Sequence, residues 1–363
     1  MSSDLGKNIN ITIFGQSHSE GIGVVITGLP AGEKIDFDQV QAFLDRRAPG
    51  KSGISTARRE TDIPQIQSGI LNDTTCGAPL CAVFQNNDTR SGDYENTRFV
   101  PRPGHADFPA FVKYKGFQDI RGGGHFSARL TVGLCFAGAI CMQLLERRGV
   151  LVGAHILSVA DVFDEYFPAV GLNSDILLAS SKKILPVLDD GAGERMKEKI
   201  LEAKRDCDSV GGIVECAAIG LPAGLGDTIF GSVEGRLSQA VFGIPAVKGI
   251  EFGAGFSASS MRGSQNNDEY YYDGALVRTV TNNHGGILGG LTTGMPVIFR
   301  AAFKPTPSIA KKQASVDLIK GENTCLEIKG RHDPCVVPRA VPCVEAAAAV
   351  TLLDLLLDKS ESY

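Results

Sequence analysis

The pentapeptide Gly-Leu-Pro-Ala-Gly occurs twice in this 363-residue chain, at residues 28–32 and 220–224. A strand-like apolar run precedes each copy, at residues 22–27 and 213–219, and an amphipathic helical pattern follows each copy. Because strand, turn and helix recur in the same order, the chain is predicted to contain two related α/β halves, each a sheet with helices on one face, and a site near their junction. The helical patterns are Phe37, Val40, Phe43 and Leu44 in the first half and Val233, Leu237 and Val241 in the second.

The remaining periodicity predicts further strands and helices of the same α/β (α+β) class. Strands are predicted at 10–14, 80–84, 151–159, 248–252 and 296–303, and helices at 127–148, 194–207 and 344–357. Pro334 and Pro338 are expected to keep the segment before the last helix irregular. Because no low-complexity linker divides the chain, we expect one domain over residues 1–363, with repeats at about 8–150 and 208–358.

Charge is distributed unevenly along the chain. The formal net charge is −5, yet five basic residues and no acid lie between positions 46 and 59. A basic loop on an acidic protein favours a compact anionic ligand over nucleic acid, which needs a broad basic face. A solvated loop is the alternative. The basic residues are Arg46, Arg47, Lys51, Arg58 and Arg59.

Cysteine usage and apolar runs predict a cytoplasmic protein. The nine cysteines include no CxxC pair, so buried free thiols in a reducing compartment are expected rather than a zinc site or a disulfide framework. The longest apolar run, residues 130–145, is shorter than the roughly 20 residues of a membrane span. We therefore expect no membrane as a partner. The charge distribution leads us to expect no nucleic acid partner either.

Two neighbouring segments, residues 102–107 and 121–129, combine arginines, histidines and a run of three glycines. Guanidinium groups match phosphate and carboxylate oxygens, and glycines let backbone N–H groups approach an anion. Histidine adds a proton that moves near neutral pH, so His105 is a candidate acid, and Asp107 is expected to cap a helix. The pattern indicates a site that binds a multiply anionic small molecule and transfers protons on it.

Other candidate ligand loops are spread along the chain. His18 lies in a glycine-bounded turn after the first strand. Contact with a ligand and a hydrogen bond to a local carbonyl explain a histidine at this place equally well. Residues 282–290 and 304–308 combine glycines, Lys304 and hydroxyls that could hold a phosphate-bearing cofactor, although tight turns would also explain the glycines. No GxSxG, HExxH or Walker A motif occurs, which argues against a serine hydrolase, a zinc hydrolase and nucleoside triphosphate chemistry.

Taken in order, nine motifs resemble those of the chorismate synthase family over roughly residues 8–358. They are GQSHSEG, DRRAPG, RPGHAD, RGGGxxSAR, AVKGIEFG, RGSQN, NHGGILGG, KPT and GRHDPCVVPRAVP. The resemblance implies a β-α sandwich fold, a homotetramer, and the anti-1,4-elimination of phosphate from 5-enolpyruvylshikimate 3-phosphate to give chorismate. It also implies reduced FMN (FMNH2) as cofactor without net redox change, and NADPH as well if the enzyme reduces its own flavin.

The resemblance assigns roles to particular residues. His18 matches the histidine that protonates the reduced flavin, His105 the one that protonates the departing phosphate, and Asp333 the acid that helps to deprotonate flavin N5. Expected substrate-binding residues are Ser17, Arg47, Arg102, Ser127, Arg129 and Arg339. Expected flavin-binding residues are His125, Phe126, Ser127, Ala246, Gly289, Lys304, Pro305, Thr306, Pro307, Ser308 and Arg331.

Four segments depart from the family pattern, at five residues in all. His125 and Phe126 stand where Arg-Ser is common, and we expect His125 to replace the lost donor to the flavin. Pro245 replaces an Asn, Gly53 replaces an Arg, and KPTPS replaces KPTSS. None of the four changes His18, His105 or Asp333. Two rival functions remain: a phosphatase or phosphate lyase without cofactor, and a non-catalytic protein that binds anions or RNA through the basic loop.

Overall fold

The computed structural model describes residues 3–50, 61–87, 98–328 and 333–360. Within these residues the chain forms helices α1 Phe37–Arg47, α2 Asp107–Tyr114, α3 Thr131–Glu146, α4 Ser174–Leu178, α5 Asp190–Arg205, α6 Val233–Phe242, α7 Gly263–Asn266 and α8 Val337–Ser360. Short 3-10 turns occur at Arg121–Phe126, Ala128–Leu130, Ile229–Gly231 and Gly255–Ser260.

The first sheet is antiparallel and built from the N-terminal part of the chain. Its strands are β1 Asp4–Leu5, β2 Asn10–Gly15, β3 Gly21–Thr27, β4 Gln65–Ser68 and β7 Leu80–Gln85, in the order β1-β2-β3-β7-β4. A small hairpin, β5 Ile70–Leu71 with β6 Thr74–Thr75, lies between β4 and β7 along the chain.

The second sheet repeats this arrangement with later strands. They are β8 Leu151–Val159, β9 Val162–Phe163, β10 Gly212–Ile219, β11 Val247–Phe252 and β16 Val297–Phe303, in the order β9-β8-β10-β16-β11. Three hairpins complete the set: β12 Tyr270–Asp273 with β13 Leu276–Thr279, β14 Ile287–Leu288 with β15 Leu291–Thr292, and β17 Gln313–Asp317 with β18 Glu322–Leu326.

The two Gly-Leu-Pro-Ala-Gly turns occupy equivalent places in the two sheets. One follows β3 and the other follows β10, and the first glycine of each has a φ near +80°, +82° at Gly28 and +85° at Gly220. The last glycine of each turn donates its N–H across 2.8 Å to a threonine carbonyl, from Gly32 to Thr75 and from Gly224 to Thr292. The strand, turn and helix order predicted from the repeat is present in both halves.

Four helices lie between the sheets and join both halves in one apolar core. α3 packs on β2 and β3, α8 packs on β8 and β10, and these two helices pack against one another. α1 flanks α3 and α6 flanks α8. Where α3 meets α8, a Cβ atom on Gly138 would lie 2.3 Å from the Cβ of Ala346, so the close approach depends on glycine. The result is a β-α sandwich.

The predicted elements are confirmed with shifts of at most four residues at their ends, except that the last helix begins seven residues before its predicted start (344 − 337). The helix predicted from Ser127 opens as a 3-10 turn and becomes α-helical at Thr131. The expectation that Pro338 prevents regular structure is wrong, because α8 begins at Val337 and Pro338 lies in its first turn, where a helix needs no N–H donor. Asp333 and Pro334 precede that helix.

Two helices are long and apolar enough to cross a membrane by length and composition. They span residues 128–146 and 337–358. In this structure 83% and 89% of their apolar windows are buried against other elements, as in core helices.

Candidate active site

The three glycines at 122–124 form a left-handed turn beside two histidines. Their φ angles are +59°, +84° and +55°, which side chains seldom adopt. A Cβ atom on Gly122 would lie 2.7 Å from Nε2 of His18, and one on Gly123 would lie 3.2 Å from Nε2 of His105. The glycine run therefore brings together two imidazoles that are 87 positions apart in the sequence (105 − 18).

Two serines border the same turn. The N–H of Ser17 donates to the carbonyl of Gly124 at 3.1 Å, and Ser17 is fully buried. Its hydroxyl has no hydrogen-bond partner among the described residues, which is costly unless a ligand supplies one. Ser127 lies on the other side of the glycine run, where its hydroxyl accepts the N–H of Arg129 at 3.3 Å.

His105 belongs to a three-residue unit with Arg102 and Asp107. The His105 Nδ1 lies 2.6 Å from Asp107 Oδ1, and Arg102 donates from Nη2 to Oδ1 at 2.8 Å and from Nε to Oδ2 at 2.7 Å. Burial opposes ionisation of Asp107, but these hydrogen bonds and positive charges hold the pKa of its carboxyl well below its usual range. Asp107 does not cap α2 as predicted: the N-cap is Ala106, and the carboxylate binds Arg102 and His105 instead.

The segment Lys304–Ser308 follows β16 and contacts this unit. Ser308 Oγ accepts a hydrogen bond from Arg102 Nη1 at 3.2 Å, and Lys304 Nζ donates to the carbonyl of Gly104. The Cβ of Pro307 lies 3.3 Å from where a Cβ on Gly104 would be. Burial and the neighbouring Lys248 lower the pKa of Lys304. The two predicted ligand loops, 102–107 and 304–308, are thus in direct contact.

Two further positions adjoin Lys304. Ala246 accepts the N–H of Lys304 at 3.0 Å and has a φ of +77°, a strained value for a residue with a side chain. Thr306 is tied through its carbonyl to Ser209 Oγ at 2.7 Å, while its own hydroxyl is buried without a partner among the described residues. Pro305 lies between them in the chain.

Asp62 lies between two of the predicted substrate-binding arginines. Its carboxylate is fully buried, accepts Arg47 Nε at 3.1 Å, and forms an ion pair with Arg129. Arg129 also donates to Asn86 Oδ1 at 3.0 Å. Burial alone would raise the pKa of Asp62, but the two guanidinium groups lower it. Arg47 is only 2% exposed, so its guanidinium serves Asp62 rather than open solvent.

Arg339 links this ion-pair cluster to Asp333. Its Nε donates to the carbonyl of Arg47 at 2.9 Å, and its Nη1 pairs with the Asp333 carboxylate. Arg46, the next basic residue of the predicted anion loop, pairs at 2.6 Å with Glu345 on α8. The other three basic residues of that loop, Lys51, Arg58 and Arg59, lie outside the described residues.

His125 and Phe126 form an aromatic cluster with Tyr114. The His125 ring centroid lies 5.3 Å from that of Tyr114 and 4.2 Å from that of Phe126. Burial lowers the pKa of His125, which favours the neutral ring. Its Nε2 is buried and finds no partner among the residues that the structure describes.

One predicted flavin-binding residue, Gly289, lies away from Lys304 and the glycine turn. Gly289 lies in the β14–β15 turn, which neighbours Gly226 at the end of the second sheet opposite to Lys304. The seven residues of β16 separate the two ends by about 20 Å at roughly 3.3 Å per residue. Arg331 lies outside the described residues.

Sequence reasoning missed the carboxylates that organise the site. Asp62 carries no local motif, because its partners are distant in the chain. Asp107 was recognised only as a helix cap, although the His-x-Asp spacing in a turn was an available signal for a histidine–carboxylate pair.

The family model described as chorismate synthase matches residues 9–357, nearly the whole chain. The chain belongs to the chorismate synthase family. The chorismate synthase of Dehalococcoides mccartyi is 47% identical over 357 residues, 98% of this chain and 97% of that protein. The chorismate synthase of Pyrococcus abyssi is 47% identical over 352 residues, 97% of each chain. A crystal structure of chorismate synthase matches with a TM-score of 0.77 and 28% identity, covering 98% of this chain and 93% of the other.

The residues around the glycine turn fit the flavin that chorismate synthases use. Three buried polar atoms lack partners among the described residues, Ser17 Oγ, His125 Nε2 and Thr306 Oγ1, and each could bond a polar ligand atom. A Cβ on Gly122 would collide with Ser17 Oγ at 2.6 Å, so the turn requires glycine at this position. Lys304 adds positive charge near the unpaired Thr306 hydroxyl. Such a donor set suits a flavin phosphate and ring, so the site fits the group.

Proposed function

We propose that this chain eliminates phosphate from 5-enolpyruvylshikimate 3-phosphate to give chorismate, with reduced FMN bound and no net oxidation or reduction. One observation carries the proposal: His18 and His105 lie at adjacent glycines of one left-handed turn, next to arginines and Lys304. A multiply anionic substrate needs the cationic groups, and a reaction with proton transfer at two places needs both imidazoles.

The substrate hydrogen that leaves is not acidified by a neighbouring carbonyl, so a side-chain base alone is a poor means of removing it. Reduced FMN, when bound, supplies electron density as the phosphate leaves and accepts it again with the hydrogen. The protein's task is to position both molecules, exclude water and hold protons at defined atoms.

His105 is proposed to hold a proton on Nε2 and donate it to the departing phosphate. Its Nδ1 is occupied by Asp107 at 2.6 Å, which leaves Nε2 facing the glycine turn. Arg102 lies 3.1 Å from His105 Nδ1 and adds positive charge where the phosphate leaves. This combination of proton donor and cation is suited to a phosphate leaving group.

The other substrate-binding assignments rest on the ion-pair cluster. Arg129 and Arg339 are proposed to bind phosphate or carboxylate oxygens, with Ser17 and Ser127 donating hydroxyl hydrogens. Arg47 is proposed to contribute positive charge from beneath the site, because its guanidinium is buried against Asp62.

His18 and Asp333 are proposed to hold protons on the flavin side of the site. A Cβ on Gly122 would lie 2.7 Å from Nε2 of His18, so any side chain at position 122 would collide with this ring. Asp333 is held by Arg339, and its carboxylate is the proposed acceptor of a proton.

The flavin is proposed to be held by two segments of the chain and one isolated alanine. Lys304, Pro305, Thr306, Pro307 and Ser308 form one wall, with Ala246 beside it, and His125, Phe126 and Ser127 form another. Arg331 is a further proposed contact. In place of the Arg that is common at its position, His125 offers a neutral ring nitrogen that has no protein partner among the described residues.

Gly289 fits this proposal only as a residue supplied by a second copy, since it lies at the end of the second sheet opposite to Lys304 in its own chain. We therefore propose a homotetramer in which a neighbour's β14–β15 turn approaches the flavin.

A cytoplasmic location is also proposed, supported by nine cysteines that are all free. We propose small-molecule substrate binding, with no nucleic acid or membrane as partner.

An anaerobic single-turnover assay tests the function. Chorismate should form from 5-enolpyruvylshikimate 3-phosphate with photoreduced FMN, and not without flavin. Parallel reactions with oxidised FMN plus NADPH decide whether the enzyme reduces its own flavin. Turnover without any flavin would favour the cofactor-free phosphate lyase, and salt-sensitive RNA binding without product would favour the anion-binding alternative.

A further inference from the structure

Asp107 is the one carboxylate that touches both His105 and Arg102 among the described residues of the site. It occupies the first turn of α2, a regular element, and its side chain is only 10% exposed. Its Oδ1 accepts from His105 Nδ1 and Arg102 Nη2, and its Oδ2 accepts from Nε and the backbone N–H of Arg102. Four contacts from one carboxylate fix both neighbouring side chains at once.

This arrangement determines which nitrogen of His105 is available. A carboxylate only accepts hydrogen bonds, so at 2.6 Å it requires a hydrogen on Nδ1. The remaining nitrogen, Nε2, lies beside Gly123, where a Cβ would come within 3.2 Å, and 3.4 Å from Nη2 of Arg102. The ring is thereby turned with its working nitrogen toward the glycine turn.

The carboxylate also compensates positive charge where Arg102 and His105 are in contact. Arg102 Nη2 lies 3.1 Å from His105 Nδ1, so a protonated His105 would face a guanidinium without compensation. Asp107 lies against both groups and neutralises one of the two charges. Among the described residues, Lys304 also lies against the unit, with its ammonium bound to the carbonyl of Gly104.

We propose that Asp107 is a positioning residue, which holds His105 and Arg102 as one unit with the proton on Nε2 of His105 directed at the ligand. The inference rests on the proposed role of His105 as proton donor. It goes beyond that role by assigning Asp107 as the group that orients His105 for proton donation.

Asparagine at this position cannot replace the carboxylate. Its amide nitrogen would face donors wherever it pointed, either Nε and the backbone N–H of Arg102 or the His105 Nδ1–H. Asp107→Asn should therefore release the imidazole and lower kcat by roughly 10²-fold, the lower range of a lost acid-base contribution. Flavin affinity should change by less than about threefold, because the four contacts of Asp107 are with Arg102 and His105 and not with the proposed flavin-binding residues.

A double-mutant cycle tests the proposal. Single-turnover rates with photoreduced FMN are measured for the wild type, Asp107→Asn, His105→Ala and the double variant. Because Asp107 acts partly through His105, Asp107→Asn should lower the rate of the His105→Ala enzyme at least tenfold less than it lowers the wild-type rate, and the loss that remains is the part that passes through Arg102. Equal loss in both backgrounds would overturn the proposal. Asp38→Asn, an exposed aspartate in the first turn of α1, is the matched control and should leave the rate unchanged.

Two further measurements keep the test independent of folding and of the proposed function. Asp107→Glu keeps the negative charge, so its single-turnover rate should be at least tenfold higher than that of Asp107→Asn. Equal rates in the two variants would argue against positioning through charge. Nitrogen NMR of His105 in the wild type should detect a hydrogen on Nδ1, and a bare Nδ1 would overturn the proposal. A wild type that makes no chorismate would defeat the function itself, while an active wild type with additive losses would defeat only the role of Asp107.

Discussion

Thr75 and Thr292 make the same buried hydrogen bonds in the two halves of the molecule. Each hydroxyl donates across 2.6 Å to a proline carbonyl of a Gly-Leu-Pro-Ala-Gly turn, Pro30 in one case and Pro222 in the other. Each also accepts a backbone N–H at 2.9 Å from the residue that follows the turn, Glu33 or Leu225. The same pair of threonine hydrogen bonds therefore links each turn to its small hairpin.

We expect Thr75→Val and Thr292→Val to lower the free energy of unfolding by similar amounts. Each leaves a carbonyl and an N–H unpaired at a buried position, which costs about 1–3 kcal/mol. Urea unfolding followed by circular dichroism measures both. Thr74→Val, one position before Thr75 and partly exposed, is the control and should change stability by less than about 0.5 kcal/mol. A large loss at only one of the two threonines would argue against an equivalent role.

Gly122→Ala should abolish flavin binding and turnover. The added Cβ would meet Ser17 Oγ at 2.6 Å and His18 Nε2 at 2.7 Å, and φ is +59°. Flavin titration and single-turnover rates measure the effect. Gly274→Ala separates strain from obstruction, because Gly274 has a φ of +61° with nothing within 4 Å of its Cβ position. Equal loss of flavin binding in both variants would show that backbone strain alone is responsible.

His105→Ala should lower turnover far more than flavin affinity. The side chain is proposed to donate a proton to the phosphate, a contribution of roughly 10²–10⁴-fold, and it is not part of the flavin wall. Single-turnover rates and flavin dissociation constants give the comparison. Equal losses in both quantities would make His105 structural.

The buried His155 should make stability depend on pH. Burial opposes its charge, but hydrogen bonds to Asp164 at 3.0 Å and Glu215 at 3.1 Å raise its pKa. A raised pKa in the folded state means that this stabilisation is complete below the unfolded value near 6.5 and is lost as pH rises through the folded value.

The stability difference between wild type and His155→Gln should therefore be larger at pH 6 than at pH 9. Thermal unfolding of both proteins at pH 6 and at pH 9 measures this difference. Comparing wild type and variant in the same buffer removes the effect of the buffer itself. A difference that does not change with pH, or grows toward pH 9, would contradict a charged His155 in the folded protein.

The sequence by itself determined the elements and their order. Apolar periodicity is a local property, so strands such as Leu151–Val159 and helices such as Phe37–Arg47 were readable from neighbouring residues. The repeated pentapeptide indicated two halves, because turns are specified by a few adjacent residues. The glycine run at 122–124 and the histidines at 18 and 105 were likewise visible as motifs.

Only the tertiary structure decided which charged groups meet. Asp62 pairs with Arg129, 67 positions away, and Arg46 pairs with Glu345, 299 positions away. Even Asp107, five positions from Arg102, was expected to cap a helix, because its partners depend on how the loop folds back. Ion pairs between distant segments form where the packing of sheets and helices brings those segments together. Local sequence patterns do not predict such contacts. The same packing leaves Gly289 and Lys304 at opposite ends of one sheet although only 15 positions separate them (304 − 289).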